Sequence, residues 1–353
     1  MSFNHYYQSE LTALRQLGRR LAERSPALSS YLGQTGQDPD VERLLEGFAV
    51  RTGRLRQKLE DELPERSHSS MHLLWPNYMR PVPAFSMLQF APLTRSEPAL
   101  TVARDTPVES VPIEGERCRF RTCYATEVAA LDLVALSHSV KGDGSLLSLR
   151  LEMTADGHLG ELQLRHLRLY FAGERYISQA LYLSLLRNLQ GAELIPLDGR
   201  GEPLIGVNDL PLAFQLPDEC VQPVGFAEDE ALMPYPLNTF RGYRYLQEYF
   251  AFQDKFLFVD IKGLDLLKTL PEESIKQVRG MALRFDIRKS ALQRLRPTLD
   301  NVKLYCTPIA NLLKHDALPI RLDGKQDEYL LLPARYNQEN CGVFSVETVT
   351  GWR

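Results

Sequence analysis

Residues 38–90 constrain this chain more than any other stretch. Asp38 stands where an N-cap belongs and Pro39 where a first helical residue belongs. Behind them, Val41, Leu44, Leu45, Phe48, Ala49, Thr52, Leu55, Leu59 and Leu63 fall on one stripe at 100° per residue. Glu42, Glu46, Gln57, Glu60 and Asp61 fall elsewhere, as a solvated face requires. The pattern predicts one amphipathic helix of roughly 35–40 Å at 1.5 Å per residue, closed by Pro64. Gly47 and Gly53 sit inside it at about 1 kcal/mol each relative to Ala. Either that cost is tolerated or another backbone comes close. Then Pro76, Pro81 and Pro83 stop helical structure and launch a strand at Ala84–Phe90.

A second helix is predicted over Phe3–Arg24, with Phe3, Tyr7, Leu11, Leu14, Gly18 and Leu21 on a narrow seam. Positions 7, 14 and 21 are a heptad apart, and Gly18 leaves room mid-seam for a partner. Ser67 can cap a third, short helix carrying Met71, Leu74 and Trp75, which Pro76 ends. Residues 1–78 therefore read as a helical region whose seams need another surface. They can pack on the rest of the chain, or join a bundle between molecules.

From Pro81 the pattern turns to period two. Strands are predicted at 84–90, 100–103, 117–124, 128–137, 146–153 and 164–171, and again at 255–261, 281–287, 302–306, 328–332 and 343–349. Lys141-Gly142-Asp143-Gly144 and Asp156-Gly157 supply hairpin turns. Helical patterning returns at 176–189 and 239–252. Strand runs interrupted by isolated helices define an α+β chain with mostly antiparallel sheets. The expected division is a helical region (1–78), a first β-rich domain (79–193), a linker-like segment (194–238) and a second α+β domain (239–353).

Reactive chemistry finds little support. Nucleophile-elbow, P-loop, dinucleotide-binding and zinc-protease motifs are absent, so no catalytic, cofactor or metal residue is assigned. His68 and His72 lie four apart without a third ligand of matching spacing. Asp260 and Asp286 end two apolar strands and, with the aromatic group from Tyr235 to Phe258, keep open a carbohydrate-binding or carbohydrate-active alternative. The net charge of −4 gives no bulk attraction to nucleic acid, and cationic and anionic residues balance through position 66. Five cysteines without a C-x-x-C read as free thiols of a reducing compartment. No secretory leader pattern and no bilayer-spanning apolar run is present. The expectation is a soluble protein.

Five blocks resemble the TssF family (also known as ImpG or VasA) of type VI secretion baseplate subunits. They are YYQSELTALRQLG (Tyr6–Gly18), PDVERLLEGFAVRTGRLRQKLEDELPE (Pro39–Glu65), LLWPNYMRPVPAFSMLQF (Leu73–Phe90), FRGYRYLQEYFAFQDKFLFVDI (Phe240–Ile261) and LYCTPIANLLKHDALPIRLDGKQDEYLLLPAR (Leu304–Arg335). They span nearly the whole chain in the family's order. Family members run well past residue 353, so the chain is expected to be an N-terminal portion of a longer subunit.

The resemblance implies a non-enzymatic wedge component of a contractile injection machine. Its implied partners are TssG, a second TssF copy, TssK, TssE and the VgrG spike hub, with no nucleic acid and no membrane insertion. Its implied place is the cytoplasm, at an inner-membrane-docked baseplate of a Gram-negative bacterium. A wedge protein of a phage-derived injection particle shares the same physics. The residues expected at protein interfaces are the seams Phe3, Tyr7, Leu11, Leu14, Gly18 and Leu21, and Val41, Leu44, Leu45, Phe48, Leu55 and Leu59. To these the proline-bearing elbow adds Trp75, Tyr78 and Arg80, and is expected to set how the β region leaves the bundle.

Overall fold

Proline and glycine placement divides the chain where the helical pattern stops. A computed structural model describes residues 3–25, 27, 29–32, 38–95, 97–112, 115, 117–206, 209–236, 239–288, 291–322, 328–334 and 341–351. It resolves into two units, Met1–Arg80 and Pro81–Arg353.

The first unit is helical: α1 (Phe3–Arg24), α2 (Ser29–Leu32) and α3 (Pro39–Leu74). Asp38 caps α3 by accepting from the backbone N–H of Asp40 at 3.0 Å and of Val41 at 3.4 Å. Two expectations fail here. Pro64 does not close the helix, and Ser67 starts no third helix, because α3 runs unbroken for 36 residues. An interior proline removes one hydrogen bond at about 3 kcal/mol, but helix-forming sequence on both sides keeps the backbone helical. The helix ends at Trp75, whose N–H donates to the Met71 carbonyl at 2.7 Å.

The second unit holds fifteen strands among its described residues. These are β1 (Phe85–Gln89), β2 (Leu100–Val102), β3 (Pro107–Glu109), β4 (Arg119–Thr122), β5 (Thr126–Val128), β6 (Leu131–Lys141), β7 (Gly144–Met153), β8 (His166–Phe171), β9 (Leu189–Leu197), β10 (Phe214–Gln215), β11 (Val221–Pro223), β12 (Phe258–Lys262), β13 (Gly280–Arg288), β14 (Val302–Leu304) and β15 (Cys306–Ala310). Three longer or intervening helices are α4 (Arg175–Arg187), α5 (Arg241–Ala251) and α6 (Glu272–Ile275). All pairings are antiparallel, in sheets ordered β10-β9-β13-β7-β6, β11-β12-β8-β14, β1-β15-β4-β3 and β2-β5.

The main core lies between the first two sheets. Leu147, Leu149 and Leu151 of β7 and Leu283, Phe285 and Ile287 of β13 meet Leu169 and Phe171 of β8 and Val259 and Ile261 of β12. Helix α4 closes this core with Leu181 and Leu185. At about 25 cal/mol per Å² of apolar surface, such burial dominates the unit's stability.

This topology does not follow the expected split into two β regions. Early strands pair with late ones, as β7 with β13, β8 with β12 and β14, and β1 with β15. Period-two patterning states which face of a strand is inward, never which strand lies beside it. The segment expected to be a linker opens inside β9, a buried strand of the five-stranded sheet. Asp156-Gly157 joins no hairpin, because β7 lies between β6 and β13. Gly142-Asp143 does turn one, at a glycine with φ of 59°. The stretches expected as strands at 328–332 and 343–349 are irregular in the structure.

One residue separates β14 from β15. Tyr305 takes a left-handed φ of 58°, and its buried hydroxyl donates to the Leu131 carbonyl at 2.7 Å. The chain thereby passes from one sheet into the next without a loop.

Candidate functional site

Helices α1 and α3 lie antiparallel, and small residues set their contact. Ala49 and Gly53, one turn apart on α3, are buried, as are Tyr6, Leu11 and Ala22 of α1. A Cβ at Gly53 would stand 3.3 Å from the Tyr7 nitrogen and 3.4 Å from the Tyr6 carbonyl carbon. This glycine is the close-approach position. Nothing lies within 4 Å of a Cβ at Gly47, which carries only its propensity cost.

Polar bonds fix the register. The Tyr6 hydroxyl donates to Glu60 at 2.8 Å, Arg56 donates to Glu10 at 3.0 Å and to Glu60 at 3.1 Å, and Arg15 donates to Glu42 at 2.9 Å. The Tyr6 hydroxyl first, and Arg56 second, hold the Glu60 carboxyl below the ordinary glutamate range.

The expected seams are therefore divided by this contact. Of the α1 seam, Leu11 is buried, Tyr7, Leu14 and Gly18 are half-buried, and Leu21 is exposed. The room beside Gly18 is taken by Leu32 of α2 in the same chain, whose side chain would stand 3.7 Å from a Cβ at that position. On α3, Val41 and Leu45 are half-buried. Leu44, Phe48, Leu55 and Leu59 are 74%, 57%, 60% and 55% exposed. The side chains of Phe3 and Leu63 lie outside the described residues. Small side chains won the inner face because they let two backbones approach, and that turned the bulky members of the stripe outward. At 100° per residue, Leu44, Phe48, Leu55 and Leu59 fall within an arc of about 60°. They form one uncovered apolar ridge.

At the expected elbow, Trp75 is half-buried with its ring 5.1 Å from that of Tyr78, which is exposed. Arg80 donates to the side chain of buried Asn77 at 2.9 Å.

The second unit carries a feature that apolar patterning misses. In α5 the buried side chains are Arg244 and Glu248, which meet the fully buried Lys255. Lys255 Nζ pairs with Glu248 and donates to the Glu230 carbonyl at 3.0 Å. Glu248 also accepts from the Leu232 N–H at 2.7 Å. Arg244 donates to the carbonyls of Phe226 at 2.8 Å and Ala227 at 3.1 Å. Burial pulls the Lys255 ammonium below the usual lysine range, and Glu248 opposes that shift. Opposite charges one turn apart in an aromatic-rich helix were the available signal.

The alternatives weighed from sequence separate in space. Asp260 is clamped by Arg168 through bonds of 2.7 and 2.9 Å. Asp286 is exposed on a strand of another sheet, so the two do not face one another as a carboxylate pair. His68 and His72 are exposed on α3. No cluster of three potential metal-binding side chains occurs among the described residues. Burial pushes the Cys123 thiol up to about 11 and that of Cys306 to about 12, away from nucleophilic thiolate. Among the described residues, no helix is long and apolar enough to cross a membrane.

The geometry defines a class: a chain whose distinctive surfaces are apolar helical faces, the hallmark of a part built to be packed against. Comparison gives the particular family. The sequence model of the family described as "Type VI secretion system, TssF" matches residues 1–353, and the chain belongs to that family. It is 29% identical over 371 aligned residues to the type VI secretion system component TssF1 of Pseudomonas aeruginosa, covering 98% of this chain and 57% of that protein. Its fold matches a chain in the cryo-electron microscopy structure of a type VI secretion system TssK-TssF-TssG baseplate subcomplex. The TM-score is 0.66 at 33% identity, over 85% of this chain and 54% of the other. The chain thus spans somewhat more than half the length of these relatives.

Proposed function

We propose that this chain serves as a structural, non-enzymatic component of a type VI secretion baseplate, docking through the outer ridge of α3. The observation that carries the reading is the exposure of Leu44, Phe48, Leu55 and Leu59 on a helix already paired through its opposite, small-residue face. At about 1.5–3 kcal/mol per fully buried large side chain, covering this ridge offers a driving force sufficient for assembly. The solved relative is named in a complex with TssK and TssG, which makes TssG or a second copy of the chain the natural source of a covering helix. TssK, TssE and the VgrG hub would be engaged by other surfaces. The site of action would be the cytoplasmic face of the inner membrane in a Gram-negative host. Expected rearrangements are shifts among assembled states, with no chemical step.

The test is co-expression with TssG from the same source, followed by size-exclusion chromatography with light scattering. The wild-type chain is expected to form a complex of two copies to one TssG. Phe48→Glu and Leu55→Glu, both at exposed positions, are expected to abolish it with an unchanged thermal transition. An undiminished complex from folded variants would remove the ridge from the interface.

A further inference from the structure

Helix α5 is amphipathic in the inverted sense, and the inversion points to a second docking face. Its buried side is charged, with Arg244 and Glu248 closed against Lys255. Arg241, at the edge of that side, pairs with Glu228. Its outer side is apolar and carries no ionic group: Leu246, Tyr249 and Phe250 are 51%, 43% and 79% exposed. Phe240, at the N-cap, is exposed too, its ring folded over Gly242 and edge-on to Tyr243 at 5.4 Å.

The inward charges are satisfied within the chain, and the outward apolar face is left in water. Burying an ion pair costs desolvation that apolar residues would avoid, while leaving Leu246 and Phe250 in water forfeits the gain of covering them. The second cost is recovered if the outer face is covered in an assembly. We propose that the outer face of α5 is a docking site for one amphipathic helix of a partner protein in the same baseplate, presenting an uncharged apolar stripe. This rests on the baseplate reading above.

Three observations select that occupant. Leu246, Tyr249 and Phe250 stand at i, i+3 and i+4, the ridge spacing that fits between the side chains of another helix. No charge on the face could compensate a charged partner surface once water is excluded, so the complementary stripe must be uncharged. The face offers roughly 500 Å² at most, taking aromatic side chains at their usual size. Self-sufficient pairs bury about 800 Å² per partner. Two copies meeting here alone would not hold together, whereas a helix already tethered by other contacts in the assembly would.

The experiment is site-specific photocrosslinking in cells carrying the full-length subunit with its TssG and TssK. The photoreactive residue replaces Leu246 or Phe250. Exposed Lys276 serves as a surface control, and Leu55 reports on the α3 ridge. The expected result is adducts at 246 and 250, absent at 276, that map to a single helical segment of TssG or TssK on residues spaced three or four apart. Adducts to the subunit's own sequence, to a non-helical segment, or none above the level at 276 would each overturn the proposal. Adducts at 55 without adducts at 250 would sink this inference alone; their absence at both positions would sink the baseplate docking reading with it.

Discussion

Helices α4 and α5 belong to one unit and are of similar length, yet they face opposite ways chemically. α4 buries Ala180, Leu181 and Leu185 against the main core, with Ser178 and Ser184 beside them. α5 buries Arg244 and Glu248. Both sequences read as amphipathic, and both do form helices. An amphipathic pattern specifies that two faces differ; which of them turns inward depends on what waits there. For α5 it is Lys255 with the backbone groups of residues 226–232, a polar interior that an apolar face could not satisfy.

The largest effects should come from the inner faces. Glu248→Ala leaves the Lys255 ammonium buried without its counter-ion and is expected to destabilise the chain by about 3–5 kcal/mol. Leu181→Ala in α4 should cost about 2–5 kcal/mol through cavity formation. Urea titration measures both. The two losses differ in kind, and the double variant Glu248→Leu, Lys255→Met tests that difference. Replacing the whole pair by apolar groups is expected to recover most of the single-variant loss. If it does not, the network's bonds to backbone matter more than its charges.

A smaller effect carries the comparison into the helical unit, where two glycines of α3 stand in opposite surroundings. Gly47→Ala, in open space, should gain about 1 kcal/mol. Gly53→Ala should forfeit that gain, because its methyl meets the backbone of α1. Thermal unfolding should place Gly47→Ala above the wild type and Gly53→Ala no higher than it. Smallest of all, Phe250→Ser on the outer face of α5 should shift stability by less than about 0.5 kcal/mol. A larger loss would mean that the face is packed within the chain.

Much of the secondary structure was legible in the sequence, because periodicity and caps are local. α1, the start of α3, α4, α5 and the strands around Leu149, Leu169 and Leu283 follow from it. Partnership was not legible. Nothing in the alternation of β7 announces β13 as its neighbour, and the apolar stripe of α3 does not announce that its smallest apolar member, Ala49, takes the inner face together with Gly53 from outside the stripe. The block Phe240–Ile261 carried the family resemblance, and the inward charges at 244 and 248 lay within it unread. Counting apolar residues as buried by default hid them.

The single-residue step at Tyr305 has a mechanical meaning. Where sheets are joined by a loop, slack in the loop lets one shift against the other. Here β14 ends and β15 begins on either side of one left-handed residue whose hydroxyl is tied to Leu131. A pull on β15 would reach β14 through one Cα and a buried hydrogen bond, with no slack to take up. The two sheets are spliced in series, so a load arriving at one is carried by both.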